Sequence, residues 1–332
     1  MAVRDLIIVG GGPTGLSTAI AAKKHGLDYQ VLEQGVLVNS IYHFPPQMIF
    51  FTTPELLEIG GIPFVSPYDK PTRPEALRYY RKIVDTFDLQ ITFEEAVLDI
   101  SREETGEGTV FALETRSSAG VRRVRHARFV VLAIGYYDHP VKLGVPGEDL
   151  PHVSHYYGEP HPYYRRRVLI VGGGNSAAEA ALEMYRAGAH VTLVHRGPEL
   201  KSTIKYWVRP DIENRIKEGS IAARFNAQVS EIRPTSVVIG GADGAGQEEV
   251  PADAVFLLTG YRADCELMRR AGIRLNERTA PVLNPETFET NVSGLFVAGG
   301  AIAGVDTGTI FIENGRFHGD RIVEAIAGKC RL

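Results

Sequence analysis

The 332-residue sequence predicts an α/β protein that carries one βαβ unit twice. Three observations predict it. Leu6–Val9 is a short apolar run, a buried-strand signal, that turns through Gly10, Gly12 and Gly15 in G-x-G-x-x-G spacing into a helical pattern. The pattern returns at Val168 as VLIVGGGNSA, with Gly172, Gly174 and Ala177 in the same spacing. The residue that closes the second strand differs in charge between the copies: Glu33 in the first, His195 followed by Arg196 in the second.

In each unit the first glycine permits a tight turn, the second lets backbone approach a pyrophosphate, and the third lets helix pack closely on strand. The free N–H groups of the helix N-terminus then face the phosphates. Gly10, Gly12, Pro13, Thr14 and Gly15 are thus candidates for one dinucleotide, and Gly172, Gly174, Asn175, Ser176 and Ala177 for another. Leu16, Ala19 and Ile20 continue the first helix, Gly26 ends it, and YQVLEQ forms the second strand. In the second copy Ala178, Ala181, Leu182 and Tyr185 form the helix face, Gly188 matches Gly26, and VTLVHR is the strand. A ribose 2′-OH calls for a carboxylate, whereas a 2′-phosphate is repelled by one and attracted by a guanidinium. The first unit therefore reads as FAD- or NAD-type and the second as NADP-type, with Lys201 and Lys205 as candidates for further phosphate cations beside the plainer reading of either as a solvated surface cation.

Between Glu33 and Phe64 the sequence is rich in aromatics, Pro and Thr without a clean period, and predicts a long ordered loop. Gln34, Asn39, Ser40, Tyr42, His43 and Phe51 are candidates to wrap a flavin, beside the plainer reading of aromatics as local core. RPEALRYYRKIVDTFD predicts an amphipathic helix with Leu77, Tyr80, Val84 and Phe87 on one side. ITFEEAVLDISRE predicts one strand, with Val97 placed to meet an adenine. Two strands and a buried strand follow, ending in Ala133-Ile134-Gly135, small enough for backbone to pass close to a cofactor. Arg122 to Arg128 reads as a solvated hairpin face.

The stretch from Tyr136 to Arg167, dense in Pro, Gly, His and Tyr, predicts a hinge. Its four histidines (His139, His152, His155, His161) lack metal-site spacing and Cys or Glu partners. ARFNAQVSEIRP and TSVVIGG predict two strands, and a strand ending at Thr259-Gly260 closes the second unit. A last strand runs into glycine-rich VAGGAIAG, and DTGTIFIENGRFHGDRIVEAIAG predicts one final helix whose N-terminus faces the flavin ring.

The length suits about two domains. A net charge of −4 gives no electrostatic case for nucleic acid or an anionic membrane surface, and no apolar run reaches the roughly eighteen residues of a membrane span. Cys265 and Cys330 make no CxxC or metal pattern and read as free thiols in a reducing cytosol.

With both fingerprints in place, the chain resembles the thioredoxin reductase-like flavoproteins. The anchors are IIVGGGPTG with Glu33, LAIG at 132–135, VGGGNSA with His195-Arg196, LTGY at 258–261 and TNVSGLFVAGG at 290–300. The resemblance implies two Rossmann-like, three-layer (ββα) dinucleotide-binding domains. FAD would lie on residues 1–140 and 263–332, with Ala133, Gly135, Gly299 and Gly300 among its contacts. NADPH would lie on an inserted domain at 141–262 that includes Gly260 and Tyr261. Two features depart from thioredoxin reductase: VSHYYGEPH replaces the redox CxxC, and Gly300 replaces the usual Asp of the last motif. These departures, with VNSIYHFP, FFTTPELLEIGGIPF, IKYWVRPDIENRIKEGSI and FIENGRFHG, resemble the YpdA-type bacillithiol disulfide reductases. Members commonly carry Cys in the first glycine loop, where this chain has Thr14.

The resemblance implies an NADPH-dependent, FAD-containing, cytoplasmic homodimer that reduces a small-molecule disulfide or a thiol-redox protein. His43 and His155 are the candidate proton donors, since imidazole titrates near neutrality. A ferredoxin or flavodoxin reductase, a monooxygenase and a redox-sensing binding module are the competing readings.

Overall fold

The computed structural model describes residues 3–106, 108–241 and 246–330. The chain divides into two compact units, 1–139 with 261–332 and 140–260.

The first unit opens with β1 (Val3–Val9), α1 (Pro13–Lys24) and β2 (Tyr29–Leu32). Pro13 suits the first turn of α1, where its missing N–H has no helical partner to lose, and Gly26, at φ +71°, stops the chain beyond it. The loop that follows holds only a single turn, α2 (Asn39–Tyr42), and a 3-10 turn at Pro54–Leu57. α3 (Arg73–Phe87) begins with Glu75 accepting the Thr72 N–H at 2.8 Å. Its fully buried face is Ala76, Tyr79, Tyr80 and Ile83, while Leu77, Val84 and Phe87 sit at the margin. The loop decides this rotation. Tyr80 donates to Leu57 O (3.1 Å) and Tyr79 to Ile62 O (2.8 Å), so both phenols are buried without losing a partner.

The expected single strand after α3 is two, β3 (Ile91–Thr92) and β4 (Glu95–Thr105), split where Glu94 turns to φ +56°. β5 (Gly108–Ser117) and β6 (Arg122–Leu132) complete an antiparallel ribbon, β6 being one unbroken strand. Its arginines are not all solvated. Arg125 makes two bonds, 2.9 and 2.8 Å, to the buried carboxylate of Glu95, which Thr115 also meets at 2.7 Å. These contacts hold the Glu95 carboxyl below its ordinary range, the Arg125 bonds first.

The second unit contains β7 (Val153–Ser154), β8 (Arg167–Val171), α4 (Asn175–Arg186), β9 (His190–His195) and α5 (Arg209–Lys217). ARFNAQVSEIRP, expected as one strand, is divided by Asn226 at φ +53° into β10 (Ala222–Phe225) and β11 (Ala227–Arg233). β12 (Ser236–Gly241), β13 (Glu248–Pro251) and β14 (Ala254–Leu257) follow. The parallel sheet runs β10-β9-β8-β14-β7, and β11-β12-β13 form a separate antiparallel sheet. Alternation along β8 places Val168 and Ile170 against α4 and α5, and Leu169 and Val171 against the antiparallel sheet. That is the ββα layering.

The chain then re-enters the first unit through α6 (Cys265–Arg270), whose N-terminal N–H groups Asp264 caps. Cys265 is a buried free thiol. β15 (Leu295–Val297) joins the first sheet beside β6, giving β3-β2-β1-β6-β5-β4 with β15 off the path. The expected last helix is two, α7 (Ile312–Gly315) and α8 (His318–Cys330), interrupted where Arg316 Nη1 donates to Glu55 O and Glu58 O.

Candidate functional site: two matching glycine turns

In the first unit β1 and β6 lie side by side, and their carboxyl ends bring the two following loops together, where doubly wound sheets take ligands. A Cβ on Gly10 (φ +109°) would stand 2.4 Å from Ala133 O, and one on Gly15 would stand 1.9 Å from Gly10 O. The protein's own backbone therefore demands both. Gly12 is different, since a Cβ there meets nothing within 4 Å. The second unit repeats the arrangement. A Cβ on Gly172 would stand 2.5 Å from Leu258 O, while one on Gly174 would have only Lys201 Cδ, at 3.9 Å. In both turns the second glycine faces open space at a helix N-terminus, the side from which a phosphate approaches. The residues present fit a dinucleotide at each turn.

The ribose positions also coincide. Glu33 is buried, its Oε2 accepting the Gly11 N–H at 2.7 Å and its Oε1 the Gly35 N–H at 2.8 Å. Burial raises its carboxyl above the ordinary range against the pull of those N–H groups, and Asp138 adds to the rise. In the second unit the His195 ring takes the matching place: a Cβ on Gly173 would meet it at 2.4 Å. Burial, then the charges of Lys201 and Arg196, hold His195 below its ordinary range. One turn thus ends on a buried carboxylate, the other on an imidazole that feels the charges of two cations. Gly11 and Gly173 were not among the expected residues. Their signal is a third glycine at a position the fingerprint does not require, present in both copies. Glu33→Gln removes the charge and turns an amide toward one of the two N–H donors. It is expected to weaken FAD about tenfold, the loss of one charge-assisted bond, measured by reconstitution of apoprotein.

Other expected residues divide. Pro13 and Thr14 start α1, and a Cβ on Gly299 (φ +66°) would stand 2.6 Å from Thr14 Oγ1. Ala133 and Gly135 follow β6, Gly135 at φ +61°. Gly300 has a structural counterpart, because the Tyr136 ring fills the space of a side chain there, 2.7 Å from a Cβ. Gln34 Nε2 donates to Asp138 at 2.8 Å. Ser40 lies in α2, and His43 follows it with Nδ1 2.9 Å from Asn39 O. Val97 lies on β4 against the sheet core. Ser176 is exposed in the first turn of α4, with Ala177 buried behind it.

Five expectations need correction. Both side-chain groups of Asn175 are engaged by the chain ahead, which the glycine turn alone does not foretell: Nδ2 donates to Thr203 O (3.1 Å) and Oδ1 accepts the Lys205 N–H (2.8 Å). Lys205 is buried on Glu179 and is not a phosphate cation. Tyr261, expected with Gly260 at the second turn, belongs to the first unit, its ring 4.7 Å from that of Tyr137. His155 is half-buried, 3.4 Å from the buried Glu148, the carboxylate that accepts the Leu143 and Gly144 N–H groups. It belongs to the second unit and His43 to the first. The N-terminus expected to face a flavin ring is divided between α7 and α8.

A family model for pyridine nucleotide-disulphide oxidoreductases matches residues 7–299. The chain belongs to that family. It is a flavin oxidoreductase of the kind that uses FAD and NADPH. Bacilliredoxin reductase Bdr of Bacillus subtilis is 41% identical over 325 residues, 97% of each chain. The solved bacillithiol disulfide reductase Bdr (YpdA) of Bacillus cereus superposes with a TM-score of 0.94 at 39% identity, covering 99% of this chain and 100% of that one. A ferredoxin–NADP reductase of Ignicoccus hospitalis is more distant, 26% identical over 303 residues and 90% of each chain. Thioredoxin reductase of T. acidophilum, at a TM-score of 0.76 and 21% identity over 100% of each chain, shares the fold. Among the described residues no helix is long and apolar enough to cross a membrane.

Proposed function

We propose that the chain is a cytoplasmic, homodimeric reductase that passes electrons from NADPH through FAD to bacillithiol disulfide. The observation that carries the reading is a buried carboxylate at one ribose position against an imidazole neighboured by Lys201 and Arg196 at the other, in a chain 41% identical to a bacilliredoxin reductase. Gly10, Gly12, Pro13, Thr14, Gly15 and buried Glu33 hold FAD, with Gln34, Ser40, His43, Val97, Ala133, Gly135, Gly299 and Gly300 around it. NADPH lies on Gly172, Gly174, Ser176, Ala177 and Gly260 and the Asn175 backbone, with His195, Arg196 and Lys201 on its 2′-phosphate.

When bound, the flavin supplies the two-electron chemistry, taking hydride equivalents from NADPH and releasing them to a disulfide. The chain's share is placement and charge. The first glycine turn offers N–H groups to a pyrophosphate, and Glu33 accepts ribose hydroxyls. The second turn sets cations where NADPH and NADH differ. The sequence holds no CxxC, and Cys265 is buried with its Sγ 3.4 Å from Ala263 O, so no dithiol of that kind relays the electrons.

The test is an anaerobic one. Flavin-loaded protein, bleached with one equivalent of NADPH, is mixed separately with bacillithiol disulfide, an oxidised bacilliredoxin and oxidised ferredoxin. Rapid flavin reoxidation by the disulfide is expected. Reoxidation by bacilliredoxin alone makes the substrate a protein, and reoxidation by ferredoxin alone overturns the reading.

A further inference from the structure

The segment from Leu200 to Ile212 carries much of the unusual sequence IKYWVRPDIENRIKEGSI, and neither glycine turn explains it. It folds back from the end of β9 over the start of α4. Four contacts fasten it there. Lys201 N–H donates to Gly173 O at 2.9 Å, and Lys205 N–H to Asn175 Oδ1 at 2.8 Å. Asn175 Nδ2 donates to Thr203 O at 3.1 Å, and Lys205 Nζ pairs with Glu179 at 2.6 Å. Ile204, Val208 and Ile212 are buried in the same core as Ala177 and Ala181 of α4.

Lys205 is the uncommon feature. Its side chain is 7% exposed, and Trp207 lies beside its ammonium, 5.7 Å from ring centroid to Nζ. Burying an ammonium and a carboxylate carries a desolvation penalty that the pair's attraction does little more than offset, so such a pair is weak evidence for stability and better evidence for fixing a geometry. Here the fixed geometry has a visible beneficiary. Lys201, the first of the anchored residues, has an exposed side chain that lies alongside Gly174, its Cδ 3.9 Å from where a Cβ would stand. Its charge is also one of the two acting on His195.

We propose that Lys205, paired with Glu179 and gripped through Asn175, is a positioning residue for coenzyme specificity: it pins this strap so that Lys201 joins His195 and Arg196 on the 2′-phosphate of NADPH. The proposal rests on reading the second turn as the NADPH site. Lys205 itself touches no phosphate and acts through Lys201.

The experiment is calorimetric titration of flavin-loaded protein with NADP+ and with NAD+, for the wild type, K205M, K201A and the double variant. K205M is expected to weaken NADP+ about five- to tenfold, the scale of one misplaced charge-assisted bond, and NAD+ less than about twofold. In the K201A background the added K205M change should be under about twofold, because residues acting through one contact are not additive. K205R should recover most of the NADP+ affinity. If K205M does not fold, E179Q makes the same comparison. An unchanged NADP+ affinity in K205M, an equal loss for both nucleotides, or a full K205M effect without Lys201 overturns the strap alone. A wild type that binds NAD+ as well as NADP+ overturns the site reading, and the proposal with it.

Discussion

Arg196→Glu should lower kcat/KM for NADPH about a hundredfold, the largest single-residue effect expected on coenzyme use. Arg196 is exposed at the end of β9, next to His195, whose ring lies against Gly173. A guanidinium there offers a charge-assisted bond to a 2′-phosphate, worth about 1.5–3 kcal/mol, and a carboxylate replaces it with repulsion. NADH has only a hydroxyl at that position. Its kcat/KM should stay within about threefold or rise, as the anion-at-ribose rule requires. Added salt should narrow the NADPH loss, since the site is open to screening. Steady-state rates with both coenzymes at low and high ionic strength check each point. Equal losses for the two would remove Arg196 from the phosphate site.

The sequence made the two turns legible because their geometry is local. Gly10, Gly15 and Gly172 are demanded by backbone atoms just beyond the ends of strands that the apolar runs already announce. Glu33 and His195 end strands of the same units and reach matching places. What stayed hidden depends on partners distant in the chain. Asn175 reads as a phosphate ligand until the chain at 203–205 folds back and takes both its side-chain groups. Lys205 reads as a surface cation until Glu179 is seen opposite it. The buried face of α3 follows carbonyls at Leu57 and Ile62, which no helical period contains. Gly300 reads as a lost acid, yet the ring of Tyr136 already fills the place of a side chain. The splits at Glu94 and Asn226 are single left-handed residues, which Asn tolerates and Glu seldom does, so only the second carried a signal.

His318 should make the protein acid-sensitive in a defined window. It begins α8, is buried, and stacks on Phe288 with ring centroids 4.1 Å apart. Its Nδ1 accepts the Gly299 N–H at 3.1 Å, so the ring is neutral with its proton on Nε2. Burial, with help from the Arg321 charge, pushes its pKa down from 6.5 to about 4. A base whose folded pKa is depressed binds its proton more readily when unfolded. Stability is therefore complete above the unfolded value of 6.5, falls as pH drops toward 4, and loses no more from this group below that. The full loss is about 3 kcal/mol. His318→Phe keeps the stacking but leaves the Gly299 N–H without its acceptor, costing about 1–3 kcal/mol at pH 7.5. In exchange, it should flatten the decline between pH 6.5 and 4. His318→Asn, whose amide oxygen can stand in for Nδ1, should lose less at pH 7.5 and be equally flat. Denaturant midpoints followed by far-ultraviolet circular dichroism across that range distinguish the three. A wild-type midpoint that declines no faster than that of His318→Phe would mean the imidazole is protonated in place, with the Gly299 N–H bonded elsewhere. Gly299 also lies against Thr14 at the first glycine turn, so flavin release should follow the same acid profile in the wild type and lose it in both variants.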